Sequence, residues 1–438
     1  MNREELKEAQ RKKTKTCFVC PYAFSLFNGN TRHRFGGAEV DAWKYSTWLS
    51  KLQWYDVSFV VFDHGQPSFE KYDGVNVYPH SGYRSREPAR LEAFIDTVRP
   101  FSFIKGIIMH YGSKSAIIFR KWKDTVKRKY LGADSKALWI DRYFVEPRKT
   151  TIYDSINADI YCVFGVHTLA AEVAAYCRRE QKKYVLFVVS DQNLSKTYLP
   201  DSGEQDAYNS PAFLCHFAIT QADLVITQTS EQAHMLGRRF SKQSVTIRNS
   251  CDLKTGIHNQ PPYHEREIAL WVGRSDHIKR PQLLLRLAKV FPRVKFVLVM
   301  NRAQQSIYTN VLRNKTPNVT VYEHIPFSQI EDVISKSFVL VNTSLHEGFP
   351  NVFLQAGKYG VPVLSLAVDP DCFIESNECG IVAHGDFNRL VEGLETILKD
   401  RQNSQQFSRN IQDYVTRNHN IEDTIPQLDE AIRKHLLT

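Results

Sequence analysis

Two blocks of strand–helix alternation, interrupted once, limit what this chain can fold into more than any other feature. In the first block, strand-like runs occur at "TCFVCPY", "DVSFVVF", "GVNVYPH", "ADIYCVFG", "YVLFVVS", "DLVITQT" and "SVTIRNS". Amphipathic helical stretches fall between most of them, for example Ala38 to Leu52 and Thr168 to Arg179. The polar, proline-containing stretch "DLKTGIHNQPPYHERE" then breaks the pattern. It restarts with "IALWVGR", "VKFVLVM", "NVTVYEH", "SFVLVNTS", "VPVLSLAV" and "GIVAHG". Alternation of this kind builds parallel sheets covered by helices, so two blocks predict two doubly wound α/β domains joined near 252–266. A chain of 438 residues is also too long for one ordinary core. Ligands of such sheets bind beyond the C-terminal strand ends, which puts the expected cleft between the domains.

Composition narrows the class. With 42% apolar and 24% charged residues, the chain reads as a soluble globular protein. No run of eighteen uncharged apolar residues occurs, so a membrane-spanning helix is not expected. The N-terminal "MNREELKEAQRKKTKT" is charged throughout and has no apolar core, which argues against a secretory signal and reads as a solvated arm. Eight cysteines raise the question of disulfides or zinc. Cys17 and Cys20 lie three apart on a strand, hence on opposite faces, and no second Cys pair completes a zinc knuckle. Reduced, buried thiols in a cytoplasmic protein are the reading.

The net charge of +10 suits an anionic partner without naming it. One segment departs from the alternation. Residues 101–130 carry eight Lys or Arg and a single acid, Asp124. Phe119, Trp122, Val126 and Tyr130 form one apolar stripe across it. Two readings stand: residues 114–130 lie on an anionic membrane, or the stripe packs on the N-terminal domain while the lysines face water.

Three motifs carry chemistry. In "LWVGRSDHIKRPQLLLRLAKVFP" a strand ends at Gly273, Arg274 follows, and Lys279 precedes a helix with Pro281 in its first turn. Two cations beside free helix N–H groups make a cradle for a diphosphate. In "FGGAEVDAWKYSTWLSKL", Gly36 and Gly37 precede a helix and let backbone N–H groups approach an anionic ligand closely. This is not the G-x-G-x-x-G fingerprint, so a nicotinamide dinucleotide loses its main support. In "VLVNTSLHEGFPNVFLQAGKYGVPVL" a strand exits through Ser344 to Glu347 and a helix entered at Pro350. N–H groups near Asn351 and Val352 would face the cleft. Glu347 can accept hydrogen bonds from sugar hydroxyls, and Gln355 lies one and a half turns further on.

Together "VGR…KR" and "E-G-F-P-N-V-x-L-x-A…G-V-P-V" resemble the donor-binding domain of family-four-type (glycosyl transferases group 1) retaining glycosyltransferases, which have the GT-B architecture of two facing Rossmann-like domains. "GGAE" and "ADLVITQT…IRNSCD" look like that family's N-terminal glycine loop and domain exit. The resemblance implies a charged arm (1–15), an N-terminal acceptor domain (16–255), a C-terminal donor domain (256–403) and closing helices (404–438) that cross back to the N-terminal domain. It also implies that Arg274 and Lys279 hold the diphosphate, that Glu347 meets the donor sugar, and that main chain near Ile325 meets the base. Gly273, Ser344, Phe349, Pro350, Asn351 and Val352 would complete the donor site, and His167 would line the reacting centre. Gln355 departs from the family's second acid, which holds the ribose.

The expected activity is sugar transfer with retention from a nucleotide-diphosphate donor to a saccharide or lipid-linked acceptor. The setting implied is cell-surface polysaccharide or glycolipid synthesis, at the cytoplasmic side of the membrane. No metal, no separate cofactor and no nucleic acid are expected. Asp191 is a candidate for an acceptor hydroxyl. A donor-binding scaffold without turnover and a nucleotide-sugar epimerase of the same fold remain the rival readings.

Overall fold

The structure, a computed structural model, describes residues 13–29, 31, 35–67, 69–84, 152–199, 210–254, 260–323, 325, 327–399 and 401–437. The basic segment 101–130 and most of the charged arm lie outside the described residues.

The N-terminal block forms a sheet of β1 (Thr14–Val19), β2 (Tyr55–Asp63), β3 (Glu70–Tyr72), β4 (Val75–Arg84), β5 (Ile160–Phe164), β6 (Lys183–Val188), β7 (Leu224–Thr227) and β8 (Val245–Thr246). Their order is β3-β4-β2-β1-β5-β6-β7-β8. All pairs are parallel except β3 with β4. Asp73 and Gly74 both adopt positive φ, 47° and 84°, which is the two-residue turn that closes a tight hairpin.

The strands read as continuous apolar runs because both faces are covered. Along β5, Tyr161 and Val163 enter one core layer while Ile160, Cys162 and Phe164 enter the other. Cys17 and Cys20 divide between the same two layers. The thiols are free, and all but Cys372 are buried.

The C-terminal sheet contains β9 (Ile268–Arg274), β10 (Lys295–Asn301), β11 (Val319–Tyr322), β12 (Ser337–Asn342), β13 (Val363–Ser365) and β14 (Gly380–Val382). Its order is β11-β10-β9-β12-β13-β14. In each sheet the chain builds outward from one central strand and then restarts on its other side, at β1/β5 and at β9/β12. Such switch points open a crevice at the C-terminal strand ends.

Seven helices matter here: α1 (Gly37–Leu49), α2 (Thr168–Arg179), α3 (Ser230–Phe240), α4 (Pro281–Val290), α5 (Asn351–Lys358), α6 (Arg401–His419) and α7 (Ile421–Leu436). Helix α6 packs on the C-terminal domain, with Ile411 and Val415 in the core that also holds Phe353. It approaches α5 so closely that a Cβ on Gly357 would stand 2.4 Å from Val415. Helix α7 then crosses over and inserts Ile425, Leu428, Ile432 and Leu436 into the N-terminal core. Those positions are three or four residues apart, one stripe of a helix. The two crossings run side by side: Cys251 N–H donates to His419 O (2.6 Å) and Ile421 N–H to Cys251 O (3.0 Å).

Candidate active site

The four loops at the two switch points face one another, and each is shaped by its own sequence. After β9 the backbone must pass the Trp271 ring, and a Cβ on Gly273 would meet that ring at 2.9 Å. Asp276, almost wholly buried, accepts from Ile278 N–H (3.1 Å) and Lys279 N–H (2.8 Å). It also pairs with Arg274 at 3.0 Å. Arg280 adopts φ +51° at the N-cap of α4, with Pro281 at the first helical position. Its guanidinium donates to Thr343 O (2.8 Å) and Ser344 O (3.1 Å), tying this loop to the exit of β12. Burial without a carboxylate partner lowers the Arg280 pKa.

The exit of β12 completes the C-terminal face. Ser344 is buried, and its N–H donates to Asn342 Oδ1 (3.0 Å). Glu347 forms an ion pair with Lys279. Thus both candidate diphosphate cations already hold a carboxylate, Arg274 that of Asp276 and Lys279 that of Glu347. Pro350 sits at the N-cap of α5 and Asn351 starts the helix. Gln355, one turn on, is half-buried, and its amide makes no hydrogen bond among the described residues. Val352 and Ile325 are half-buried and pack on the C-terminal core.

The N-terminal face meets this turn directly. Gly36 caps α1, and its N–H donates to Glu39 Oε2 (2.7 Å). Gly37 O accepts from Asn351 Nδ2 (3.0 Å), and a Cβ on Gly37 would come 3.0 Å from that nitrogen. The same nitrogen donates to Asp41 Oδ1 (3.0 Å). Asn249 Nδ2 is shared among Asp41 Oδ2 (3.2 Å), Phe349 O (3.1 Å) and Asn351 Oδ1 (3.3 Å). Phe349 N–H donates to Gln228 Oε1 (3.2 Å). Its ring lies against Phe373 and His419. A Cβ on Gly348 would stand 2.4 Å from Gln228 Oε1 and 2.8 Å from Val189 O. Hence Gly348 through Asn351 bolt the two domains together as well as shaping the donor loop.

His167 stands between the end of β5 and the start of α2. It is the N-cap of α2: Nδ1 accepts from Ala170 N–H (3.2 Å) and Nε2 lies 3.2 Å from Phe164 O. With Nδ1 accepting, Nε2 must carry the proton, so its own turn uses both ring nitrogens. Sequence reasoning also missed Asp41, Gln228, Gln232 and Asn249. For Gln228 and Asn249 the one signal is polarity at strand ends, in "ITQT" and "IRNS", where a packed exit would be apolar; Asp41 and Gln232 lie inside α1 and α3 and carry no such signal.

Comparison with known proteins agrees with this geometry. Residues 255–414 match the family described as Glycosyl transferases group 1. The matched stretch falls on the C-terminal domain. A stretch of 130 residues, 29% of this chain, is 26% identical to Glycosyltransferase 1 domain-containing protein 1 of Xenopus tropicalis and spans 38% of that protein. Sucrose-phosphate synthase of Thermosynechococcus elongatus superposes with a TM-score of 0.69 at 16% identity, over 96% of this chain and 99% of that one. Anabaena HepE, solved with UDP and glucose, gives 0.61 at 13% identity over 96% and 100%. At these identities the likeness establishes architecture, and that architecture is GT-B across both domains.

Proposed function

We propose that the chain transfers a sugar from a nucleotide-diphosphate donor to a hydroxyl acceptor, with retention and without a metal. The observation that carries this reading is the pair of cations at the N-terminus of α4, each held by a carboxylate of its own domain. A diphosphate entering the crevice could take over Arg274 and Lys279, and the helix N–H groups add positive potential where the leaving charge develops. Glu347, freed from Lys279, would then face the sugar hydroxyls. Gln355, one turn into α5, would reach the ribose, and main chain near Ile325 the base.

The acceptor is a saccharide or a lipid-linked sugar, and cell-surface polysaccharide or glycolipid synthesis is the proposed setting. A cytoplasmic site of action goes with it, the basic segment 101–130 meeting an anionic membrane surface or its own domain. Among the described residues no helix is long and apolar enough to cross a membrane.

A thermal-shift series over UDP-, GDP-, ADP- and TDP-sugars tests the donor half. A ligand at a hundredfold excess over its Kd stabilises the folded state by about 2.7 kcal/mol, which is several degrees in melting temperature. One base should stand out. If no nucleotide sugar moves the transition, the crevice is not a donor site.

A further inference from the structure

Besides Glu347, a second carboxylate reaches the centre of the cleft, and it comes from the opposite domain. Asp191 opens the short turn after β6, and its N–H donates to Glu347 O at 3.3 Å. The two side chains therefore start from adjacent points across the domain boundary, but their surroundings differ. Glu347 is neutralised by Lys279, whereas Asp191 has no ion pair among the described residues.

Its orientation is set from behind by a buried amide. Gln232, fully buried in α3, takes the Gln228 N–H on its Oε1 (2.9 Å). That fixes which way the amide points, so its Nε2 donates to Asp191 Oδ1 (3.1 Å). Gln232 is itself held by Thr229 Oγ1, which accepts from its backbone N–H (3.1 Å). Arg239 of the same helix holds the turn through Leu194 O. Asp191 Oδ2 has no hydrogen-bond partner among the described residues. The carboxylate is thus aimed by one fixed donor and left with one open acceptor.

We propose that Asp191 receives the proton of the acceptor hydroxyl in the transfer reaction. The inference rests on the transferase reading. If Glu347 meets the donor sugar from the C-terminal side, an incoming hydroxyl on the N-terminal side finds Asp191 Oδ2 first. In the step, the acceptor oxygen bonds to the anomeric carbon on the same face from which the diphosphate oxygen departs, so the bond to that oxygen breaks and the configuration is retained. The bonding pair leaves on the diphosphate, and the hydroxyl proton passes to Asp191 and then to water. His167, the other candidate on this side, has both ring nitrogens engaged by its own turn.

The surroundings suit a proton acceptor near neutral pH. Burial pushes the Asp191 carboxyl up to about 6, the Gln232 hydrogen bond opposes that, and Glu231, Glu347 and Asp371 add to it. All three neighbouring groups that act on it by charge are acidic. An acid whose pKa lies near the working pH is the efficient choice for such a transfer.

The test uses the full-length protein with UDP-glucose, UDP-N-acetylglucosamine, GDP-mannose and ADP-glucose, following nucleotide release to water as the acceptor. Wild type should show a rate that rises with pH through about 6 and then levels. Asp191→Asn keeps the backbone bond to Glu347 and an oxygen for Gln232. It should lose at least a hundredfold in kcat and flatten the acid limb, with nucleotide affinity within twofold of wild type. Gln232→Leu serves as the second variant: without its donor the ionised Asp191 is less stabilised, so the acid limb should move to higher pH. A structural role alone would move neither limb. Turnover of Asp191→Asn within threefold of wild type, with the limb unchanged, overturns the assignment. A wild type that binds nucleotide yet releases none from any of the four donors overturns the transferase reading itself, and this inference with it.

Discussion

The two faces of the cleft treat charge in opposite ways. On the C-terminal face, Arg274 is paired with Asp276 and Lys279 with Glu347. On the N-terminal face, Asp41 and Asp191 sit in the interface with no cation at ion-pair distance among the described residues, and burial raises both to about 6. Paired cations can be lent to an incoming diphosphate at little reorganisation cost. Unpaired carboxylates repel that anion and accept from hydroxyls. The difference teaches that two faces of one cleft can be told apart by their electrostatics, and under the proposed transferase reading they are the donor and acceptor sides.

The most damaging way to break this contrast is to strip the lending cations. Arg274→Ala with Lys279→Ala should remove two charge-assisted contacts worth about 1.5–3 kcal/mol each. Nucleoside diphosphate affinity, followed by titration calorimetry, should fall at least a hundredfold. Unfolding should remain a single transition, with some loss of melting temperature because Asp276 and Glu347 lose their cations. Affinity close to wild type in the double variant would mean that the C-terminal face does not hold the diphosphate.

A smaller effect probes the other face. Asp41 has a folded-state pKa of about 6 against an ordinary 3.8. The native state therefore holds this proton more tightly than the unfolded chain does. Its contribution to stability falls as pH rises through that window, and the cost is complete above about 6. A shift of this size amounts to about 2–3 kcal/mol. In urea unfolding, wild type should lose that much relative to Asp41→Asn between pH 4 and pH 7. A pH-independent difference between the two proteins would show that Asp41 is not held in a charge-poor interface.

The subtlest change sharpens the donor side. The Gln355 amide makes no hydrogen bond among the described residues, so Gln355→Glu should offer the ribose diol a two-oxygen acceptor and tighten nucleoside binding by about 1 kcal/mol. The gain should appear in KM and leave kcat alone, as uniform binding does. A carboxylate there also approaches the diphosphate, so affinities for nucleoside and nucleoside diphosphate are to be compared. Unchanged nucleoside affinity would place Gln355 away from the ribose.

Much of the fold was legible because it is local. Alternating strand and helix runs, the Pro281 helix start and the opposite-face spacing of Cys17 and Cys20 depend on neighbours a few residues away. The β3–β4 hairpin escapes a search tuned to strand–helix alternation, although Asp73-Gly74 spells its turn. The donor motif was legible in the same local sense. Arg274, Lys279 and Glu347 lie on the loops that their motifs name, and the structure adds the partners that hold them.

What the chain's own order could not reveal is which polar groups meet across the domain boundary. Asn351 finds Asp41 across 310 positions and Asn249 across 102, and Phe349 finds Gln228 across 121. No periodicity encodes such pairs. By itself the sequence determined two doubly wound domains and a basic, glycine- and proline-marked donor loop, because backbone preference and burial pattern act over a turn or a strand. Tertiary structure alone decided that Gly348 through Asn351 bolt the domains together and that Asp191 stands open beside Glu347. A side chain's hydrogen-bond partners are set by where distant strand ends come to rest.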